Sequence, residues 1–308
     1  MNDSRKWLKL MALLSVLLLT FAACGEDGEP VDSTGSGSAS EPAEEDSSAD
    51  FTLVKDGTLT VGSDIPYPPF EFNAEGDGSL TGFDVELVRE ISTRVGLENT
   101  DEDWLSVDFG TFAQQLDSGT KFDIMVAAVT GYAPEGSPAS EVVAERTAVV
   151  DFSLPYYDSL QSLTVNTSNR DDLIEGVDDL PEGSRVAVQS ATTGAFYAEE
   201  NLAPNGLELV EFNKAPGMYQ ALLGGGVDAV FNDLPVSIDA IAELKAPELQ
   251  VVEQVETGEQ YGIAVAKDNA ALREAIDGAL QEMFDDGTYA EIFKTYFPEQ
   301  ELPEYASE

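Results

Sequence analysis

Two kinds of apolar pattern alternate along this chain, and this alternation restricts its fold more than any other feature. Short apolar runs with the composition of strands occur at residues 59–62, 122–129, 186–188, 207–210 and 227–231. Between them, apolar residues recur every three or four positions, as on one face of a helix. The clearest such stripe consists of Phe83, Leu87, Val88, Ile91 and Val95. Strands that alternate with helices predict an α/β architecture with mostly parallel sheets.

Further helices are predicted at residues 109–116 and 272–284. Gly96 is expected to end the first helix. Asp286 and Gly287 interrupt the last apolar stripe, and Thr288 is expected to cap the helix that follows. Ligands of α/β folds bind beyond the carboxyl ends of strands, so the loops after the strands are where a site is expected.

The first 23 residues have the pattern of a signal peptide. Basic residues precede an apolar run of 14 residues at positions 10–23, which is shorter than the roughly 20 residues of a membrane span. The run ends at Cys24 and resembles the bacterial lipoprotein processing box, with Phe21 in place of the usual leucine. This resemblance implies that Cys24 is lipidated and becomes the N-terminus. The alternatives are an incidental thiol, or an uncleaved anchor that would also leave the body outside the membrane.

Residues 24–50 are rich in Gly, Ser, Pro, Asp and Glu and contain almost no aliphatic residue. Such a segment buries too little surface to offset its chain entropy. We therefore expect a lipid-anchored, flexible, acidic linker that connects the anchor to a globular body at residues 51–308.

The charge balance excludes several classes of function. The chain has 15 Lys and Arg against 59 Asp and Glu, a formal net charge of −44, and such a surface repels nucleic acid. The acids are spread along the whole chain, which favours adaptation to concentrated salt over recruitment of a cationic partner. With no histidine and one cysteine, the chain has no His-based triad, intrachain disulfide or cysteine-based metal cluster, and neither a metal nor a cofactor is expected.

Some of the loops after predicted strands carry side chains suited to an amino acid ligand. Tyr67 lies in a proline-rich loop that also carries Asp64, and a rigid aromatic side chain suits stacking on a ligand. The alternative is an ordinary proline-rich connection. Arg146 suits two parallel hydrogen bonds to a carboxylate, although an exposed ion pair is an alternative for any single arginine.

Two further loops extend this pattern. Residues 189–194 join a strand to a helix, so their N–H groups and the hydroxyls of Thr192 and Thr193 predict either an anion site or a helix cap. Asp233 follows a strand and could bind an ammonium group. A carboxylate clamp, an acid for an amine and an aromatic wall together complement a zwitterionic amino acid.

The sequence resembles a known family, the extracellular solute-binding proteins of polar amino acid ABC importers. The similarity runs from about residue 59 to residue 297. It rests on residues 61–72, which begin Val61-Gly62-Ser63-Asp64; on Thr81-Gly82-Phe83-Asp84; on residues 145–157, which include Glu145-Arg146 and Asp151-Phe152-Ser153; on Asp228-Ala229-Val230-Phe231-Asn232-Asp233; and on the ending at residues 286–297. The resemblance implies a two-lobed type II periplasmic-binding-protein fold with a ligand cleft between the lobes.

The resemblance also implies a role for each site residue. Arg146 would clamp the ligand carboxylate with help from the hydroxyls of Thr192 and Thr193. The hydroxyl of Thr130 would bind the same carboxylate or the amine. Asp233 would hold the ammonium group. The remaining expected ligand contacts are the aromatic walls Tyr67 and Phe109, the backbone of Ala127 and Ala128, and the side chains of Asp64, Gln189 and Asn232.

Two departures from the family stand out. Ala191 occupies a position where the family usually has glycine, so a positive φ there would add strain. Thr130 and Arg146 are 16 residues apart, where the family spacing is nearer five, and residues 131–144 are expected to form an inserted loop beside the cleft.

The sequence therefore predicts the extracytoplasmic, lipid-anchored binding component of an amino acid ABC importer, not an enzyme. Residues 51–159 and 257–308 would form lobe 1 and residues 160–256 lobe 2, with hinges near 158–162 and 257–260. The partners would be a free amino acid, the ABC permease and, through the lipid, the membrane. Asp64, Gln189 and Asn232 with no cation favour a neutral polar or basic ligand. The alternatives are a dehydratase-like enzyme that uses Glu71 or Asp64, and a sensory domain.

Overall fold

The computed structural model describes residues 51–169 and 173–307. The strands are β1 (Val61–Ser63), β2 (Phe72–Asn73), β3 (Leu80–Thr81), β4 (Trp104–Ser106), β5 (Ile124–Met125), β6 (Thr130–Tyr132), β7 (Val150–Phe152), β8 (Tyr157–Asn166), β9 (Arg185–Gln189), β10 (Glu208–Phe212), β11 (Ala229–Asp233), β12 (Leu249–Tyr261) and β13 (Ala264–Ala266). The helices are α1 (Phe83–Arg94), α2 (Phe112–Asp117), α3 (Pro138–Val149), α4 (Thr193–Asn201), α5 (Ala215–Leu223), α6 (Leu234–Leu244), α7 (Ala270–Asp286) and α8 (Thr288–Tyr296). The predicted signal peptide, Cys24 and the predicted linker lie outside the described residues.

The strands form two main sheets and one small hairpin. The first sheet has the order β4-β1-β5-β13-β7, and the second has the order β10-β9-β11-β8-β12-β6. Strands β2 and β3 pair with each other. The predicted α/β class is confirmed.

Both main sheets are mixed, so the expectation of mostly parallel sheets is wrong. Strand β1 runs parallel to β4 and β5, and β9 runs parallel to β10 and β11. Strand β13, however, runs antiparallel to β5 and β7, and β8 runs antiparallel to β11 and β12. Strands β8 and β12 carry the chain into and out of the second sheet, and each runs antiparallel to both of its neighbours there.

The helical pattern of the sequence corresponds to the buried faces of the helices. On α1 the predicted stripe is buried at Phe83, Leu87, Val88 and Ile91. The Phe83 ring packs against Phe297, with the ring centroids 5.2 Å apart. Burying apolar area of this kind contributes roughly 25 cal/mol per Å², so these contacts stabilise the first sheet on which half of the site lies.

Two local expectations are wrong in detail. Only Ile124–Met125 of the apolar run 122–129 is a strand of the first sheet, because the chain then crosses over and joins the second sheet as β6. Thr288 does not cap α8, since it is the first residue of that helix and Gly287 takes the cap position with φ +82°. The N–H of Thr288 instead donates to Asp286, 2.9 Å away.

The expected loop at residues 131–144 is mostly regular structure. Strand β6 continues to Tyr132 and helix α3 begins at Pro138, which leaves only residues 133–137 between them. Proline is favoured at the first position of a helix. Ala139, Val142 and Arg146 lie on the buried face of α3, so the extra residues lengthen the helix that carries Arg146.

Candidate functional site

The predicted site residues lie at the ends of strands from both sheets. Asp64 directly follows β1, and Ala127 and Ala128 follow β5. Gln189 ends β9 and Asp233 ends β11. Because strand ends from both sheets meet at one place, their polar side chains form a single cavity.

This cavity is narrow, because the side chains around it lie close together. Eleven of the twelve predicted residues line it, and they are Asp64, Tyr67, Phe109, Ala127, Ala128, Thr130, Arg146, Gln189, Thr192, Thr193 and Asp233. Asn232 is the exception. It is buried behind the cavity and its Oδ1 accepts a hydrogen bond from the hydroxyl of Tyr67 at 3.2 Å.

Arg146 places a buried positive charge on one side of the cavity. Its side chain lies over the ring of Phe109, with Cζ 5.2 Å from the ring centroid. Its guanidinium donates to the carbonyl of Thr130 at 2.8 Å and to the carbonyl of Ala191 at 3.2 Å. Thr130 and Arg146 are thus adjacent in space despite their separation of 16 residues.

Arg146 is buried, with only 7% of the residue exposed. Within residues 51–169 and 173–307 it makes no ion pair with a carboxylate within 4.0 Å. Burial lowers the pKa of Arg146 to about 10, against the opposing charges of Glu259 and Asp233. A buried cation of this kind attracts an anion that can accept its remaining N–H groups.

Glu259 is a buried acid beside this cation that the sequence analysis missed. Its Oε2 accepts hydrogen bonds from Thr130 Oγ1 at 2.8 Å and from Thr193 Oγ1 at 2.5 Å. Glu259 therefore occupies the hydroxyls that were expected to bind a ligand carboxylate. The one available signal was its position at the predicted hinge 257–260, where β12 returns towards the first sheet.

The loop before α4 is both a helix cap and part of the cavity. Thr192 caps α4 by accepting a hydrogen bond from the N–H of Ala195 at 3.1 Å, and it donates to the carbonyl of Gln189 at 2.8 Å. Its hydroxyl is thus committed to the backbone, whereas the N-terminus of α4 at Thr193 lies at the cavity. Ala191 has φ +63°, the strained conformation expected where the family has glycine.

Asp233 forms the negative side of the cavity. Its Oδ1 accepts from Gln161 Nε2 at 2.6 Å, and its Oδ2 accepts from the hydroxyls of Tyr67 at 2.8 Å and Tyr261 at 2.7 Å. Burial and the charge of Glu259 raise the pKa of Asp233 to about 6, while the three hydrogen bonds oppose the rise. At neutral pH the group is ionised and can attract an ammonium group.

Gly194 allows Gln161 to approach closely enough to hold Asp233. A Cβ atom at position 194 would lie 2.8 Å from Oε1 of Gln161, which is closer than real Cβ contacts. Gln161 is another residue that the sequence analysis missed, since nothing in its local pattern marks it.

A cation that the sequence analysis did not consider lies behind Asp64, outside the lining of the cavity. Lys214 Nζ forms an ion pair with Asp64 Oδ1, and Gln189 Nε2 donates to Asp64 Oδ2 at 2.6 Å. Lys214 directly precedes α5, in a loop after β10 that was not considered. The rule that ligands lie beyond strand ends would have pointed to this loop.

The backbone of Ala128 is held from behind the cavity. Its N–H donates to Asp84 Oδ2 at 2.9 Å, and its φ is +48°. The expectation that this backbone faces a ligand therefore fails for the N–H group of Ala128. Burial raises the pKa of Asp84 to about 7.

Over residues 51–169 and 173–307, no group of three or more His, Cys, Asp or Glu side chains is placed to hold a metal ion. In the same part of the chain, none of the helices combines the length and the apolarity that crossing a membrane requires.

Comparison with known proteins places this geometry in context. The sequence profile of the bacterial extracellular solute-binding proteins, family 3, matches residues 59–299. The glutamine-binding protein of an ABC transporter from Bacillus subtilis (strain 168) is 29% identical over 293 residues, which cover 95% of this chain and 96% of that protein.

Solved structures show the same fold. An ancestral arginine-binding protein bound to arginine is 34% identical with a TM-score of 0.68, covering 78% of this chain and 98% of that one. An ancestral arginine-binding protein bound to glutamine is 33% identical with a TM-score of 0.69, covering 80% of this chain and 100% of that one. The expected two-lobed periplasmic-binding-protein fold is confirmed.

Proposed function

This chain belongs to the bacterial extracellular solute-binding proteins of family 3, and on that premise we propose that it captures one free amino acid for an ABC importer. The observation that carries the proposal is the pair of opposite buried charges, Arg146 and Asp233, that line one cavity. The carboxylate of the ligand binds Arg146 and the N-terminus of α4. Its ammonium group binds Asp233, and Tyr67 and Phe109 enclose the space between.

Closure of two lobes is the mechanism by which the ligand is held. We assign residues 51–159 and 257–308 to lobe 1 and residues 160–256 to lobe 2. The crossings lie on β8 and β12, which pair with each other and change register between Val255 and Glu259. A ligand that contacts both lobes stabilises the closed form, because those contacts are lost on opening. The closed form then delivers the amino acid to the permease.

A thermal-shift screen of the twenty amino acids tests the proposal. At least one should raise the melting temperature, since a ligand that binds only the folded state stabilises it. The matched controls are the same amino acid as its carboxamide, which lacks the carboxylate, and as its N-acetyl form, which lacks the ammonium group. If all twenty leave the melting temperature unchanged, or if both controls bind as tightly as the parent, the proposal is wrong.

The enzymatic alternative depends on Glu71 or Asp64. Glu71 is fully buried and lies outside the lining of the cavity. Both oxygens of Asp64 accept hydrogen bonds, from Gln189 and Lys214. Neither acid is therefore placed to protonate a ligand, which favours binding over catalysis. The sensory alternative predicts the same ligand with another partner, and uptake of labelled amino acid into cells lacking the protein distinguishes the two.

The body is held at the outer face of the membrane by a lipid on Cys24. The support for this anchor is the basic and apolar leader that ends at the only cysteine of the chain. Wild type should incorporate radioactive palmitate, whereas Cys24→Ser should not. Equal labelling of both would leave the lipid anchor without support.

The excess of acids adapts the surface to high salt. A net charge of −44 destabilises a compact chain in dilute buffer through self-repulsion, and salt screens this term. The melting temperature should therefore rise from dilute buffer to molar KCl. Equal stability in both would argue against a salt-rich habitat.

A further inference from the structure

Lys214 is the cation that neutralises Asp64, at the end of the cavity where the ligand side chain would lie. Its Nζ bonds to Asp64 Oδ1, to the carbonyl of Ile65 at 3.1 Å and to the carbonyl of Val107 at 3.3 Å. All three acceptors follow strands of the first sheet, whereas Lys214 follows β10 of the second sheet. The ammonium group thus joins the two halves of the site.

Lys214 approaches Asp64 from outside the cavity. Asp64 lines the cavity and is 2% exposed, whereas Lys214 is not part of the lining and its side chain is 34% exposed. Asp64 therefore already has a cationic partner before any ligand side chain approaches it. A basic ligand would have to compete with Lys214 for the same carboxylate, and this competition removes the advantage that an isolated acid gives to a cation.

Gln189 supplies a hydrogen-bond acceptor that a ligand side chain can use. Its Nε2 donates both to Asp64 Oδ2 and to the carbonyl of Asn213, at 2.6 and 3.2 Å. Because both of these partners only accept, the amide orientation is fixed and Oε1 points elsewhere. That Oε1 is buried and has no hydrogen-bond partner within the described residues. A buried acceptor without a partner favours a ligand that brings an N–H or O–H donor.

We propose that Lys214 is a positioning residue that sets specificity, so that the cavity selects an amino acid whose side chain ends in a neutral hydrogen-bond donor such as a carboxamide. The ammonium of Lys214 compensates Asp64, and Gln189 Oε1 accepts from the ligand. The same arrangement disfavours basic side chains, which meet a carboxylate that is already paired. This inference rests on the proposed function and narrows its ligand class.

The test compares affinities for L-glutamine, L-asparagine, L-arginine and L-lysine by calorimetry. In wild type the better carboxamide should bind at least about tenfold more tightly than the better basic ligand. Lys214→Met frees Asp64, so the ratio of the two affinities should shift by about tenfold or more towards the basic ligand. Lys214→Arg keeps the charge and should retain the wild-type ratio.

Lys121→Met serves as the matched control, because it removes the same charge from an exposed lysine that bonds only to Gln115 in the described part of the chain. A wild type that prefers arginine or lysine would overturn the inference. So would a Lys214→Met variant that weakens all four ligands by the same factor, since that result assigns Lys214 to closure alone. Either result leaves amino acid capture intact. Failure of wild type to bind any amino acid would instead overturn the proposed function and this inference together.

Discussion

Replacing Arg146 by methionine tests whether this arginine binds the ligand or only stabilises the fold. Arg146 is 7% exposed, and its guanidinium donates to the carbonyls of Thr130 and Ala191, with no ion pair in the described part of the chain. Burial lowers the pKa of Arg146 from 12.5 to about 10. At 1.36 kcal/mol per pKa unit, the surroundings disfavour the charge by roughly 3 kcal/mol.

The free-energy cost of burying this charge determines how Arg146→Met should change the stability of the protein without ligand. Methionine removes the burial cost of the charge but also removes two hydrogen bonds from a charged donor, each worth about 1.5 kcal/mol or more. The two effects nearly cancel, so the free energy of unfolding should change by less than about 1.5 kcal/mol. Affinity should behave differently, because a buried charge-assisted pair with the ligand is worth roughly 2–5 kcal/mol. That loss corresponds to an increase in Kd of about 30-fold or more.

Two measurements on the same samples give the answer. Urea unfolding without ligand reports the free energy of unfolding, and calorimetry with the best amino acid reports Kd. Arg273→Met is the control, since Arg273 pairs with Asp277 one helical turn away on α7 and is not part of the cavity lining. It should leave Kd unchanged.

Two results would refute this reasoning. If Arg146→Met binds as tightly as wild type, the ligand carboxylate does not lie at Arg146. If the free energy of unfolding falls by about 3 kcal/mol or more together with the affinity, Arg146 is a structural residue whose loss disrupts the site, as removing one member of a satisfied buried network does.

Four further predictions concern Asp233, Ala191 and Glu259. The ammonium group needs ionised Asp233, whose pKa is about 6, so Kd should rise by up to about tenfold per unit as the pH falls below 6, and Asp233→Asn should bind weakly at every pH. In the unliganded protein the raised pKa makes the folded state take up a proton between about pH 6 and pH 4, so Asp233 should stabilise the fold as the pH falls through that window, by urea unfolding. Ala191→Gly relieves the φ of +63° and should raise the free energy of unfolding by up to about 1 kcal/mol, whereas Ala195→Gly inside α4 should lower it by about 0.5–1 kcal/mol; a loss at position 191 would show that its backbone is not strained. Glu259→Gln removes a negative charge beside the carboxylate site and should tighten binding by a few-fold, roughly 1 kcal/mol, by calorimetry; weaker binding would mean that Glu259 orders the site and does not oppose the ligand.

The fold was predictable where it depended on local periodicity. The stripe on α1 and the strands β9, β10 and β11 follow from residues close in sequence. The mixed sheets were not predictable, because the direction of β8 and β12 depends on how the chain crosses between two sheets. The residues around Tyr157 and Leu249, where β8 and β12 begin, do not by themselves determine the direction of these strands.

The site likewise contains residues that the sequence predicts and residues that it does not. Residues at strand ends, such as Asp64, Gln189 and Asp233, could be predicted from position and from the family resemblance. For Lys214 and Glu259 the sequence offered only a position, after β10 and at the predicted hinge. Their partners could not be predicted, since they lie 150 residues away at Asp64 and 129 residues away at Thr130. Contacts across the cavity depend on how closely two separate sheets approach, and a linear sequence does not state that distance.

Because Arg146 and Asp233 are buried, salt weakens their interactions less than it weakens those of the surface charges. Most acids on the surface lie in water, where ions largely screen interactions between charges more than about 10 Å apart at 0.1 M salt. Arg146 and Asp233 are 7% and 9% exposed and are insulated from those ions. The stability of the fold can therefore follow the ionic strength of the surroundings while the affinity for the amino acid stays nearly constant, so that a cell could keep the same uptake threshold as its medium concentrates or dilutes.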